Sequence, residues 1–207
     1  DQEGGGAHRR AISRMAWRND QVSGEETEKI LEIAREGLAV SGDFVELGCY
    51  KGDTALLLAE VLRGSAKRLF LYDSFEGLPE KVAEDISVLG EEFQAGELFV
   101  TKREVKERFL RAGLPVPVIR KGWFRDLTGE DMPDLIAFAF LDGDFYESIR
   151  DSLKLVAGRM AEGGVILVHD YENPALPGVR KAVEEWRGCG KTCGKLEIYK
   201  SLAIIRY

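Results

Sequence analysis

Phe44-Val45-Glu46-Leu47-Gly48-Cys49-Tyr50-Lys51-Gly52 decides the fold. A short apolar strand runs into Gly48, and Gly52 leads into Ala55–Leu62, which is apolar on nearly every side and suits a helix buried against a sheet. Glycines in such a strand-to-helix turn let the backbone approach a ligand and let the helix start tightly. Working outward, the alternation repeats. Leu69–Tyr72 reads as a second strand ending at Asp73, and Val116–Ile119 as a third. Leu135–Leu141 is a continuous buried strand ending at Asp142; Val165–Val168 is a fifth, entered by a turn at Gly163-Gly164 and ending at His169-Asp170. Strand–helix alternation of this kind predicts an α/β fold, an open and mostly parallel sheet with helices on both faces. Leu196–Tyr199 and Leu202–Ile205, joined by Lys200-Ser201, predict a C-terminal antiparallel hairpin.

The helices carry their own signatures. Ser23-x-x-Glu26 is a capping box ahead of a face made by Ile30, Leu31, Ala34 and Leu38. Thr101-x-x-Glu104 opens another helix through Val105, Phe109 and Leu110, inside a long connection spanning 76–114. Tyr146, Ile149, Leu153, Val156 and Met160 keep helical spacing, and so do Val179, Ala182, Val183 and Trp186.

A chain of 207 residues is sized for one domain. We place it at 23–207, behind a mobile arm over 1–22 that carries Gly4-Gly5-Gly6 and Arg9, Arg10, Arg14 and Arg18 without an apolar period. Lys plus Arg number 29 against 36 Asp plus Glu, a net charge of −7, which argues against non-specific nucleic-acid binding. The longest apolar run, Leu135–Leu141, is far short of a membrane span, and no charged-then-apolar leader opens the chain. The expectation is a cytoplasmic protein. Three cysteines do not make a disulfide framework. Cys189-x-x-x-Cys193 lacks the ligand count of a structural zinc site and reads as a surface turn, and Cys49 reads as a small packing residue.

In open α/β sheets, ligands bind beyond the carboxyl ends of the strands. Four expected strands end in polar residues there: Glu46 with Gly48, Asp73, Asp142 with Asp144, and His169 with Asp170. Each alone is the kind of residue that caps a helix or turn; four on one rim point to a site. The Gly48–Gly52 segment lacks the middle glycine of the dinucleotide fingerprint, which makes room for a pyrophosphate. Asp73 stands where an acidic residue binds ribose hydroxyls. Together these suggest an adenosine ligand without a pyrophosphate, which S-adenosylmethionine fits well and NAD poorly.

Phe44–Thr54, Tyr72–Pro79, Lys121-Gly122-Trp123-Phe124, Leu141–Ser148, Gly163–Ile166, Asp170-Tyr171 and Pro177–Val183 together resemble, in order, the motifs of the macrocin O-methyltransferase family, over about residues 40–187. The resemblance implies a Rossmann-like class I methyltransferase fold, S-adenosylmethionine as cofactor, a divalent metal, and methyl transfer to a hydroxyl of a small acceptor such as a natural-product sugar. It also implies a homodimer. Carried over by position, Glu46, Gly48, Tyr50, Lys51 and Gly52 would surround the methionine portion and Asp73 the ribose. Ser74 and Phe75 would lie beside the adenosine, and Gly122 and Trp123 would form its far wall. Lys51 also reads as a solvated helix-start residue, and Phe124 reads as core packing. Asp142 matches a metal ligand beside the cofactor, and Asp144 the general base. A sugar hydroxyl is a poor nucleophile at neutral pH; a nearby metal lowers its pKa and a carboxylate takes its proton.

The chain departs from the family pattern at His169-Asp170, where Asp-Asp is usual. Imidazole is a mediocre ligand for Mg²⁺ and a better one for transition metals. His169 therefore has three readings: a ligand with Asp142 and Asp170, a base in a site without metal, or a hydrogen-bonded strand end without a chemical role. Asp126-Leu127-Thr128-Gly129 is a second departure. Few residues precede the first strand, so residues 80–100 or a second subunit are expected to complete the acceptor side. Two alternatives stand beside the methyltransferase: a non-catalytic S-adenosylmethionine-binding protein and a nucleotide-linked oxidoreductase.

Overall fold

Seven strands and five helices alternate along the chain in the computed structural model, which describes residues 21–90, 93–188 and 194–207. The strands are β1 (Asp43–Leu47), β2 (Leu69–Asp73), β3 (Val118–Lys121), β4 (Ile136–Leu141), β5 (Met160–Val168), β6 (Lys195–Tyr199) and β7 (Leu202–Arg206). The helices are α1 (Gly24–Glu36), α2 (Asp53–Val61), α3 (Lys102–Arg111), α4 (Tyr146–Ala157) and α5 (Pro177–Gly188). The sheet order is β3-β2-β1-β4-β5-β7-β6. β1 to β5 pair in parallel, and β7 runs antiparallel between β5 and β6. The order reverses between β1 and β4, the switch point at which such sheets open a ligand crevice.

Alternate residues of each strand serve opposite faces. Phe44, Leu71, Phe138, Phe140 and Leu167 pack with Ile30 and Ile33 of α1, Leu58 of α2 and Phe109 of α3. Val45, Tyr72, Leu141, Ile166 and Val168 pack with Ile149 and Leu153 of α4 and Val179 and Val183 of α5. Both capping boxes form: Ser23 and Glu26 open α1, and Thr101 and Glu104 open α3.

Several expectations need correction. α4 ends at Ala157, capped by Gly158, so Met160 leaves the helix and begins β5. Gly163-Gly164 does not turn the chain into that strand but bulges within it. Gly163 has φ +79°, and the pairing of β4 with β5 shifts register there. A Cβ on Gly164 would lie 2.8 Å from the Ala161 carbonyl, so the bulge has no room for a side chain. α1 gives way to a 3₁₀ turn at Gly37–Ala39, which leaves Leu38 exposed; Leu110 on α3 is exposed as well. β3 lies two residues later than its expected start. Of the arm placed at 1–22, residues 1–20 lie outside the described residues, whereas Val22 is buried in the core beside α1. Cys189 and Cys193 also lie outside the described residues.

Candidate active site

The backbone ladder continues past the strand ends and fixes the loops that follow. Gly48 N donates to Tyr72 O at 2.9 Å, Gly122 N to Asp73 O at 2.9 Å, Asp142 N to Leu47 O at 2.9 Å, and His169 N to Leu141 O at 3.0 Å. A cleft opens over these ends at the switch point. It is a wide, open cleft, lined from the ends of β1, β2, β4 and β5 and by the connection after β2. Glu46, Gly48, Tyr50, Lys51, Asp73, Ser74, Gly122, Trp123, Asp142, Asp144, His169 and Asp170 all line it.

Two expected residues do not. Phe75, at φ +52°, turns its side chain into the core beneath α2 and α3; what it offers the site is its backbone N–H, donated to Asp73 Oδ1 at 2.8 Å. Gly52 is the left-handed N-cap of α2, with φ +81° and its N–H on the Cys49 carbonyl. Its role is to turn the chain. Phe124, expected as core, packs against the α4 face and also reaches the cleft wall.

Asp73 organises the first half of the cleft. Its Oδ2 accepts the backbone N–H groups of Cys49 at 2.9 Å and Tyr50 at 3.1 Å. Tyr50 occupies the place of the middle fingerprint glycine and holds a left-handed backbone, φ +41°, with its side chain in the cleft. A pyrophosphate has no close backbone approach there. Cys49 is buried, and burial followed by the nearby carboxylates raises its thiol pKa well above the ordinary value. It is a packing residue in the neutral form.

Glu46 is 1% exposed, and its Oε2 has no hydrogen-bond partner among the described residues. Burial first, then the charges of Asp142, Asp73 and Asp53, raise its carboxyl pKa well above the usual range. A carboxylate left in that state is costly unless a ligand cation joins it.

The second half is built on β4 and β5. His169 Nδ1 lies 2.9 Å from Asp142 Oδ1 and 3.0 Å from Asp170 Oδ2. Burial alone would lower the imidazole pKa, but the two carboxylates outweigh it and hold His169 well above its ordinary value. Asp170 pays burial in the opposite direction, and its hydrogen bond with His169 keeps it below the ordinary range. Asp144 stands apart: it makes no hydrogen bond or ion pair among the described residues and has φ +60°. Burial, then the charges of Asp142 and Asp170, raise its pKa well above the usual carboxylate value, against an opposing pull from His169.

Tyr50, Phe93, Leu98, Asp144 and Asp170 all line the cleft and all have left-handed backbone at non-glycine positions. Such strain persists only where the surrounding structure imposes it, and it gathers at functional sites. Phe93 and Leu98 come from the long connection, as expected for residues 80–100, while Gln21, Ser148 and Asn173 were not foreseen.

The Macrocin-O-methyltransferase (TylF) family matches residues 25–198 of the chain. The chain belongs to this family. Among its curated relatives, the 8-demethyl-8-(2,3-dimethoxy-alpha-L-rhamnosyl)-tetracenomycin-C 4'-O-methyltransferase of Streptomyces olivaceus is 35% identical over 158 residues, 72% of this chain and 59% of the relative. Demethyldecarbamoylnovobiocin O-methyltransferase of Streptomyces niveus is 31% identical over 167 residues, 73% of this chain and 60% of the relative. The chain thus spans about three-fifths of the length of these relatives. Among solved structures, the O-methyltransferase NovP superimposes with a TM-score of 0.75 at 26% identity, covering 89% of this chain and 80% of its own. The calicheamicin methyltransferase CalS11 shares the fold, with a TM-score of 0.74 at 16% identity over 100% of this chain and 94% of its own. The open, mostly parallel sheet expected from the strand pattern is thus the Rossmann-like class I methyltransferase fold that the resemblance implies. No described helix is long and apolar enough to cross a membrane.

Proposed function

We propose that this chain is an S-adenosylmethionine-dependent O-methyltransferase that methylates a hydroxyl of a small glycosidic acceptor. The observation that carries the reading is a pair of carboxylates in one cleft: Glu46 on β1, whose buried Oε2 has no hydrogen-bond partner among the described residues, and Asp144 just beyond β4, which lines the same cleft. Glu46 complements the ammonium of a bound amino acid moiety, and Asp73 lies within the same half to meet ribose hydroxyls. Lys51 and Tyr50 flank the methionine end; Ser74, Gly122 and Trp123 wall the adenosine. S-adenosylmethionine, when bound, supplies an electrophilic methyl on a sulfonium.

Asp144 would take the proton from the acceptor hydroxyl whose oxygen receives the methyl, with S-adenosylhomocysteine as the leaving group. Its raised pKa suits a base, because a carboxylate of ordinary acidity has little pull on a hydroxyl proton. The cleft walls align the two reactants, and much of the rate of such a displacement comes from alignment. Asp142 and Asp170 raise the basicity of His169, and this reading assigns its imidazole to the cation site described next rather than to the base.

Asp142, His169 and Asp170 fit a divalent cation. Their donor atoms lie within 4.8 Å of one another, and Nδ1 carries one proton that two carboxylate oxygens share. A cation in its place satisfies all three donors. Two carboxylates and an imidazole suit Mn²⁺, Fe²⁺ or Zn²⁺ better than Mg²⁺. Such an ion would acidify a hydroxyl held beside Asp144.

The homodimer expected from the resemblance and a cytoplasmic location belong to the same proposal. The test is calorimetric titration of S-adenosylmethionine, followed by assay for S-adenosylhomocysteine with rhamnosyl glycosides. Micromolar-range binding with product formation is expected. Binding without product from any acceptor supports the non-catalytic alternative, and binding of a nicotinamide dinucleotide in its place supports the oxidoreductase.

A further inference from the structure

Tyr146 opens α4, and its backbone N–H donates to Asp85 Oδ1 at 2.6 Å, across 61 residues of sequence. Asp85 belongs to a 3₁₀ turn, Ala83–Asp85, in the connection between β2 and α3. The N-cap residue of α4, Phe145, makes no side-chain cap bond, so a distant carboxylate does the capping. Asp85 Oδ2 accepts Val82 N at 3.1 Å. The first turn of α5 abuts the same contact: a Cβ on Gly178 would fall 2.0 Å from Asp85 Oδ1 and 2.9 Å from both Tyr146 N and Tyr146 Cβ. Only 2% exposed, this carboxylate is wedged between the starts of two helices; burial raises its pKa above the ordinary value, and the N–H groups of Tyr146 and Val82 pull against that.

α4 directly follows Asp142-Gly143-Asp144-Phe145. That loop is tight: Phe145 N reaches back to Gly143 O at 2.7 Å, and a Cβ on Gly143 would lie 2.8 Å from Ser148 Cβ. Among the described residues no side-chain bond steers Asp144, and its left-handed backbone, φ +60°, sets the direction of its carboxylate. We propose that Asp85 is a positioning residue for methyl transfer, fixing the first turn of α4 and through it the aim of Asp144. The proposal rests on Asp144 as the base.

The test compares Asp85→Ala, Asp85→Asn, Gly178→Ala and the double variant Asp85→Ala/Gly178→Ala, with Asp144→Asn as reference. Asp85→Ala should lower kcat about 10- to 100-fold, the scale of a misaligned catalytic group, with S-adenosylmethionine affinity within about two-fold. Gly178→Ala should reproduce that loss, because its methyl displaces the carboxylate without deleting it. The double variant should lose less than the product of the two single losses, the non-additivity of two changes acting on one contact. Asp85→Asn keeps an oxygen for Tyr146 N and should recover most of the rate.

Hydrogen exchange over Asp144–Ser148 gives a readout that needs no acceptor, and it should quicken in Asp85→Ala and Gly178→Ala while β1 stays protected. If both variants keep wild-type kcat and exchange while Asp144→Asn is inactive, the positioning role is refuted. Equal losses of kcat and cofactor affinity would refute it too, by showing general damage. An active Asp144→Asn would instead overturn the base assignment beneath it.

Discussion

Asp73 Oδ2 accepts the backbone N–H of Cys49 at 2.9 Å, so a carboxylate at the end of β2 shapes the turn at the end of β1. With the bonds from Tyr50 and Phe75, one side chain takes up three backbone donors from two loops. The residue expected to hold a ribose is therefore also the residue that builds the cradle.

Asp73→Ala should lower S-adenosylmethionine affinity by more than about 10-fold, since hydrogen bonds to a charged group are worth roughly 1.5–3 kcal/mol each. It should also lower the melting temperature, because three backbone N–H groups lose their acceptor. Calorimetry and thermal unfolding check the two effects separately, and unchanged affinity rules out the ribose role.

Asp144→Asn should reduce kcat by about 10²- to 10⁴-fold, the usual range for a lost acid–base group. Affinity for S-adenosylmethionine should stay within about two-fold, because the side chain makes no contact that shapes the cofactor half. Single-turnover rates and titration together decide it.

The donor set around His169 predicts Mn²⁺ binding, visible by electron paramagnetic resonance on protein stripped with chelator. His169→Ala should weaken it about 10-fold or more. His169→Asp should shift the preference toward Mg²⁺, whose ligands are oxygens. No change in the spectrum on adding protein would leave His169 as a strand-end ion pair.

Gly48 tolerates no side chain. Its φ is +89°, and a Cβ there would lie 2.1 Å from the Asp142 carbonyl oxygen. Gly48→Ala should cost more than about 3 kcal/mol in denaturant unfolding, strain and overlap combined. A cost under about 1 kcal/mol would mean that β1 and β4 part readily at the switch point.

Asp151 supplies a pH test. Burial acts to raise its pKa, but Arg150 and Lys154 overcome that and hold it below the ordinary value. Its folded-state pKa is depressed, so its contribution is present above the unfolded pKa of ~3.9 and disappears as pH falls through the folded value. Asp151→Asn should therefore be destabilised near neutral pH, by under about 1 kcal/mol for so exposed a network, and match wild type in strong acid. Denaturant melts at both pH values measure it.

The sheet could be read from Leu135–Leu141, an uninterrupted apolar run as buried parallel strands are, and from Phe44–Leu47, apolar but for Glu46. The site could be read from Glu46, Asp73, Asp142 and His169 because a parallel sheet delivers every strand's carboxyl end to one rim. Phe75 could not be placed: a left-handed φ, set by contacts with Asp73, sends its side chain inward rather than toward the ligand. Asp85 was equally silent, since its partners at Tyr146 and Gly178 lie 61 and more residues away. Met160 kept the helical spacing of α4 by coincidence, two residues beyond the Gly158 cap. Phe93 and Leu98 sit in a connection without periodicity, where sequence carries no sign of which residues face a cleft.

The hairpin has a consequence for synthesis. β7 lies between β5 and β6, so the apolar edge of Val165–Val168 gains its neighbour only when residues 202–206 are made. Until then a nascent chain presents that edge unpaired, the kind of template on which strands of other chains add. Translation that pauses after β5 is thus the moment of greatest aggregation hazard.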